Sequence, residues 1–392
     1  MAIWRHATGA TSVIVGEGAL DELPGELTAR NFKRIFLLSS PSAGVGQGMA
    51  LVKNALKGVD VLGSFTNVRP HLPEADIATI AERLHDTAPD VIVAVGGASV
   101  GDAAKAAALL LAKGKLGFDL SAMVPGTAPL PGLLPILSVP TTLAGAEFVP
   151  GGAYTSGTHK GFFVAPGLAH SLAIYDPRAF RDVPADILLS TGMNGLAHSL
   201  ETSYSKGSTP YVRALASASA TNFARYLPAR AAGDTTSQVL TGLADAAVLG
   251  ILAYVQGGAG VHHAICHALG GLLGLSHGAA NAVMLPYVLA ANEPYSREVQ
   301  AELASVMGKE MKRYDVEIGG TLADHVRALQ ILISQPSTLS ELGVNHEDLQ
   351  QVADHIIQHE PGLGGNPRPV DVELLMQILR AAWQGDLALT GV

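Results

Sequence analysis

The chain has 392 residues, is 48% hydrophobic and 15% charged, contains 44 Gly and carries a net charge of -9. That length favours about two folded domains, and that composition excludes a disordered or fibrous chain. The acidic balance, with no run of Lys or Arg longer than a pair, argues against a nucleic-acid surface.

Residues 1–12, with Arg5, His6 and small polar neighbours, lack the apolar core and cleavage site of a secretory signal. Residues 34–39 (RIFLLS) read as a buried strand, followed by a turn at 40–44 and helical spacing over 49–56. Residues 59–65 are a second strand. A helix over 73–88 places Ile77, Ile80 and Leu84 at helical spacing, with Pro73 in its first turn. Residues 90–95 (DVIVAV) are the clearest strand and run straight into Gly96-Gly97-Ala98-Ser99 and a helix over 101–113. Strand, helix, strand, glycine turn, helix predicts a parallel sheet covered by helices. A Pro/Gly-rich passage at 123–135 leads to a strand over 135–139. Residues 151–154 and 172–175 are extended and predict a ribbon or edge strands.

From residue 184 the pattern changes to helices: 185–204, 209–226, 236–257, 261–273 and 279–291, continuing at 297–307, 319–333, 339–342 and 370–383. Within them, 246–255 is one short buried helix, far below the ~20 apolar residues of a membrane span. The single cysteine, Cys266, cannot make an intrachain disulfide, fits a reducing cytoplasm, and reads as a small buried apolar residue. The sequence therefore divides into an α/β domain over 1–180 and an all-helical domain over 181–392. A cleft between such halves is a common place for a small-molecule site.

Two strand ends carry candidate ligand chemistry. At Gly96-Gly97-Ala98-Ser99-Val100-Gly101-Asp102, adjacent glycines let backbone approach a pyrophosphate, and the helix that follows directs N–H groups at it. Ser99 can add a hydroxyl. The turn is not the Gly-x-Gly-x-x-Gly fingerprint, and its plain alternative is an ordinary tight turn. Thr141 and Thr142 follow another strand, where open α/β sheets bind ligands or where polar residues cap a helix. In the helical half, His263 and His267 share one face at i, i+4. Asn194 and His198 do the same upstream, and His277 precedes a further helix. Buried imidazoles need partners, so the cluster predicts a divalent metal site or a proton relay.

The Gly-Gly-x-Ser-x-x-Asp-x-x-Lys turn (Gly96 to Lys105), Pro140-Thr141-Thr142, and the spaced His198, His263, His267 and His277 resemble the iron-containing alcohol dehydrogenase superfamily. The resemblance spans about residues 13–287. It implies an N-terminal dinucleotide-binding α/β domain, an all-helical second domain and a nicotinamide cofactor. Metal-dependent members bind their divalent ion with one Asp and three His, and the matching positions here are Asn194, His198, His263 and His277. Asn is a neutral, weaker ligand, and losing a negative charge beside a dication removes a large favourable contribution. The chain is therefore most similar in this respect to the metal-independent maleylacetate reductases, as are its segments 190–198 and 262–271. Two features depart from that branch: Ala264 stands where a lysine is common, and 277–281 looks more like the alcohol dehydrogenases.

The resemblance implies that Gly96, Gly97 and Ser99 hold the pyrophosphate, that Asp102, Thr141 and Thr142 face the cofactor, and that Lys160 contacts its nicotinamide ribose. Asn194, His198, His263 and His277 would stabilise a developing oxyanion or enolate, a histidine would supply the proton, and His267 would lie near the nicotinamide. Positive charge for a dicarboxylate substrate would come from His159, Lys160 and protonated histidines. Ser39 ends the first strand where many relatives carry an aspartate that repels a 2′-phosphate, so NADPH is expected to be tolerated and NADH remains possible. The resulting expectation is a cytoplasmic, homodimeric NAD(P)H-dependent reductase of a small anionic unsaturated keto acid, without metal, nucleic-acid partner or membrane. The alternatives are a metal-dependent alcohol dehydrogenase or aldehyde reductase, a lyase on the related dehydroquinate synthase fold, and a cofactor-binding protein without catalysis.

Overall fold

A computed structural model describes residues 4–8, 11–114, 120, 130–157 and 159–388; of residues 4–8, 159, 160, 361 and 362 only the backbone is described. Most of the Pro/Gly-rich passage at 123–135 lies outside them. The chain forms two compact units. The first comprises Met1–Pro184 and Thr236–Ala244, the second Ala185–Thr235 and Asp245–Val392. The division expected near residue 180 takes no account of Thr236–Ala244, which returns to the first unit.

In the first unit the elements run in the order β1 (Trp4–Thr8), β2 (Thr11–Val15), α1 (Leu23–Ala29), β3 (Arg34–Ser39), α2 (Pro41–Val45), α3 (Gln47–Ala55), β4 (Asp60–Phe65), α4 (Glu74–Thr87), β5 (Val91–Gly96), α5 (Ala98–Ala112), β6 (Ile136–Pro140), β7 (Gly151–Ser156), β8 (His159–Val164) and β9 (Leu172–Tyr175). The sheet order is β1-β2-β9-β6-β5-β3-β4, parallel throughout except for the β1–β2 hairpin. Successive residues of a strand face opposite sides of a sheet. Phe36 and Leu38 of β3 therefore pack with Ile77, Ile80 and Leu84 of α4, while Ile35 and Leu37 pack with Leu23 of α1 and Met49 and Val52 of α3. β5 is buried along its whole length, as a central strand covered on both faces must be. The connections run outward from β3 to β4, then reverse to β5 on the other side of β3. Such a reversal opens a crevice at the carboxyl ends of β3 and β5.

Several expectations need correction here. The hairpin β1–β2 and helix α1 have no counterpart in the sequence reading. The turn at 40–44 contains the short helix α2, because Ser40 Oγ accepts from Ala43 N and Pro41 preorganises the first turn. Residues 172–175 form neither ribbon nor edge. They are β9, buried between β2 and β6. The ribbon belongs instead to β7 and β8, a separate two-stranded sheet.

The second unit is helical: α6 (Ala185–Ser203), α7 (Pro210–Ala231), most of α8 (Ser237–Gly257), α9 (Val261–Leu273), α10 (His277–Met311), α11 (Leu322–Leu332), α12 (Asp348–His359) and α13 (Val372–Gln384). The helices expected at 279–291 and 297–307 are one element, α10, kinked at Ser296 (φ -144, ψ 20) just after Pro294. Residues 339–342 are turns, closed by Gly343 at φ 78, and helix α12 beyond them was not anticipated. The apolar run at 246–255 belongs to the 21-residue α8. That helix is long and apolar enough to cross a membrane, yet 72% of its most apolar window is buried inside the protein, as in a core helix.

Candidate active site

In the first unit the glycine turn sits at the sheet's reversal point. Gly96 ends β5 at φ 153, where an added Cβ would lie 2.6 Å from Val100 Cγ2. Gly97 is the N-cap of α5 and receives no side-chain cap; Val100 N turns back to Gly97 O at 3.0 Å, which leaves the amides of Ala98 and Ser99 for an incoming acceptor. A Cβ on Gly97 would come within 2.7 Å of Thr142 Cγ2, so the bare backbone makes room between the turn and the end of β6. Thr141 N donates to Gly96 O at 3.0 Å and ties the two strand ends together. Ser99, Thr141 and Thr142 are half-buried around this cradle. A phosphate group fits it: helix-terminal amides, hydroxyls at the rim, and glycines at the two positions where a Cβ would crowd Val100 and Thr142.

Three expected cofactor residues are placed less directly. Asp102 accepts from Lys105 Nζ at 2.9 Å and from Ala153 N at 3.2 Å, so its carboxylate fastens β7 to α5. Lys105 is fully buried and also donates to the carbonyls of Ala146, Val149 and Gly151. Ser39 is 0% exposed and its Oγ has no partner among the described residues. The accessible hydroxyls at that strand end are those of Ser40 and Ser42, 3.3 Å apart. The side chains of His159 and Lys160 lie outside the described residues.

In the second unit, Asn194 and His198 lie one turn apart on α6, and Glu201 lies on the same face almost one turn further. α9 supplies His262, His263 and His267, α10 begins at His277, and α8 contributes Tyr254. The His198 and His263 rings stack with centroids 4.9 Å apart and an interplanar angle of 9°. Tyr254 packs on both, at 4.6 and 4.9 Å. His277 lies 6.4 Å from His263 and stacks on His267 at 5.6 Å. The expected residues Asn194, His198, His263, His267 and His277 thus come from two helices and a helix start to form one cluster. His198 and His263 form its buried floor, and His267 and His277 are half-exposed.

Burial, reinforced by neighbouring histidines, holds His198 and His263 well below the usual imidazole range. The expectation that protonated histidines supply fixed positive charge therefore fails for these two at neutral pH. Asn194 Oδ1, His198 Nδ1 and His263 Nε2 are buried and have no partner among the described residues. Buried polar atoms in that state mark a place where a ligand's polar groups belong.

Three contributors were missed by sequence reasoning. Tyr254 is an aromatic in an apolar helix and carries no local signal. Glu360, whose Oε2 lies 3.4 Å from His267 Nδ1, comes from a distant part of the chain. Glu201 was detectable, because it shares the helical face of Asn194 and His198. His262, by contrast, turns into the core, its Nε2 2.9 Å from Asn281 Oδ1 and 3.7 Å from Cys266 Sγ. Cys266 itself is buried as expected, and burial pushes its thiol well up.

Residues 10–177 match the iron-containing alcohol dehydrogenase family, and residues 188–383 match the family's C-terminal domain. The chain belongs to the iron-containing alcohol dehydrogenases. It is 29% identical to maleylacetate reductase 1 of Cupriavidus pinatubonensis over 376 residues, covering 95% of each chain. It is 27% identical to the NAD-dependent methanol dehydrogenase of Bacillus methanolicus, covering 94% of this chain and 97% of that one. The crystal structure of maleylacetate reductase from Rhizobium sp. strain MTP-10005 superposes with a TM-score of 0.79 at 25% identity, covering 98% and 99% of the two chains. As a member of this family the protein is an oxidoreductase, with a maleylacetate reductase-like character over nearly its whole length. The iron-containing alcohol dehydrogenases take their name from a metal, and the donor set here fits one poorly. Position 194 offers a neutral amide, and among the described residues no group of three or more His, Cys, Asp or Glu is arranged to hold a metal ion.

Proposed function

We propose that this chain reduces a small, anionic unsaturated keto acid of the maleylacetate type, with NADPH or NADH and without a bound metal. The observation that carries the reading is Asn194. At the first position of the cluster an amide stands where the resemblance places a carboxylate ligand, and its Oδ1 is buried and unpartnered. The likeness to several maleylacetate reductases, at 26–29% identity, supports the substrate class.

In this reading the turn from Gly96 to Ser99 holds the pyrophosphate, and Thr141 and Thr142 line its rim. Asp102 acts at one remove, by fixing β7 against α5, while Lys160 supplies a cation. When bound, the reduced nicotinamide supplies the hydride. The chain's own work is to exclude water around His198 and His263, orient the substrate through Asn194, and pass a proton in through the half-exposed end of the cluster, His267 and His277. With no carboxylate on Ser39, Ser40 or Ser42, a 2′-phosphate meets no repulsion at the end of β3.

A substrate panel with NADPH and NADH, after chelation and with zinc or iron added back, tests the proposal. Reduction of maleylacetate by the chelated enzyme is the expected result. Turnover of alcohols or aldehydes that appears only on metal addition would establish the second reading, a metal-dependent dehydrogenase. The observation favouring that alternative is the pair of buried, unpartnered ring nitrogens, His198 Nδ1 and His263 Nε2.

A further inference from the structure

Beside the histidine floor lies a carboxylate to which no role has been given. Glu201 is 1% exposed and sits between α6 and the start of α9. Its Oε1 accepts from His262 N at 2.7 Å, and its Oε2 lies 2.5 Å from His263 Nδ1. Helix α9 has glycine at its N-cap and receives no cap from its own sequence. Glu201 supplies one from a neighbouring helix, and a helix N-terminus favours the charged carboxylate. Gly260 makes this approach possible, since a Cβ there would lie 2.8 Å from Glu201 Oε1.

We propose that Glu201 is the positioning residue of the site: by occupying His263 Nδ1 it locks the imidazole in the Nδ1–H tautomer and presents Nε2 to the reacting group. The geometry leaves little freedom. With Oε1 committed to the helix terminus, Oε2 points at Nδ1, and His263 Nε2 is the ring atom left buried and unpartnered. The parallel face of His198 and the ring of Tyr254 then restrict rotation of the imidazole. Burial raises the Glu201 carboxyl, and the His262 side chain and the amides at the start of α9 offset that rise only in part. The competing arrangement is a protonated Glu201 donating to Nδ1, which would put the ring proton on Nε2 and reverse what His263 offers.

The carboxyl group that Asn194 fails to provide is therefore retained almost two turns along the same helix, one imidazole removed from the reacting atoms. The consequence for rate rests on the proposed reductase reading; the tautomer does not.

The test is 15N NMR of the histidine rings in the whole protein, with the His263 signals assigned by their loss in His263→Gln. The expected result is Nδ1–H in the wild type, with Glu201→Gln losing or mixing that tautomer. Outer partners of this kind are worth about 10–100-fold, so kcat should fall by that order in Glu201→Gln with little change in KM for NADPH. Gly260→Ala, which crowds the carboxylate without removing it, should give a smaller shift in the same direction. An Nε2–H tautomer in the wild type, or an unchanged tautomer and kcat in Glu201→Gln, would overturn the assignment. Because the wild-type spectrum needs no substrate, a tautomer as expected with no turnover of maleylacetate would count against the proposed substrate alone.

Discussion

At residue 194 the difference between an amide and a carboxylate is a single charge in a low-dielectric setting, where an ion's affinity is most sensitive to it. Asn194→Asp is therefore expected to raise zinc affinity by at least an order of magnitude while depressing metal-free reductase activity. Calorimetric zinc titration of both proteins checks this, and equal affinities would refute it. A second buried group makes a prediction about stability. Glu147, 6% exposed and accepting from the Tyr175 hydroxyl, is pushed up by burial to about 7 from an ordinary 4.5. Below the unfolded value both states are protonated and the native advantage is fully present. As pH rises, the unfolded chain ionises first, so stability falls until the native carboxyl also ionises near 7. The loss is roughly 3 kcal/mol. Urea unfolding at about pH 5 and about pH 8 should show this loss in the wild type and much less of it in Glu147→Gln. Asn194, His198, His263, His267 and His277 could be found in the sequence because helical spacing and residue type suffice to nominate them. Tyr254 and Glu360 could not, since only tertiary packing brings them to the cluster.

The most informative element is α5 with the turn before it. The glycines and the strand that feeds the turn were apparent, because each is a local property of consecutive residues; the helix itself begins at Ala98, three residues before the expected 101. What the sequence did not disclose was the use of Asp102 and Lys105, whose partners lie in β7 and the loop before it. Substitution at Gly96 combines a positive φ with a clash, adding strain of about 1–3 kcal/mol. Gly97→Ala needs no unusual φ and instead crowds Thr142, so the expected outcome is a folded enzyme whose NADPH affinity drops about tenfold or more. Fluorescence titration with NADPH decides, and wild-type affinity would remove the turn from the cofactor site. The misplacement of β9 has a similar cause. A four-residue apolar run does not reveal whether a strand is central or peripheral, because that depends on which strands flank it.

On the scale of the whole chain, the α/β and helical halves follow from hydrophobic periodicity. The return of Thr236–Ala244 to the first unit does not, because nothing in an apolar helix reports which core it joins. Val239, Leu240, Leu243 and Ala244 of that segment are at most 5% exposed. A fragment ending at Pro184 should therefore expose apolar surface, bind a hydrophobic dye and unfold at lower urea than the full chain. Equal resistance would show the segment to be dispensable.

The same return sets an order of events during synthesis. Most of the first unit leaves the ribosome before any of the second, yet Thr236–Ala244 follows 51 residues of the second unit, Ala185–Thr235. Until that stretch has emerged, the nascent first unit must wait with part of its apolar surface uncovered, exposed to chaperones and proteases for longer than the length of Met1–Pro184 alone would suggest.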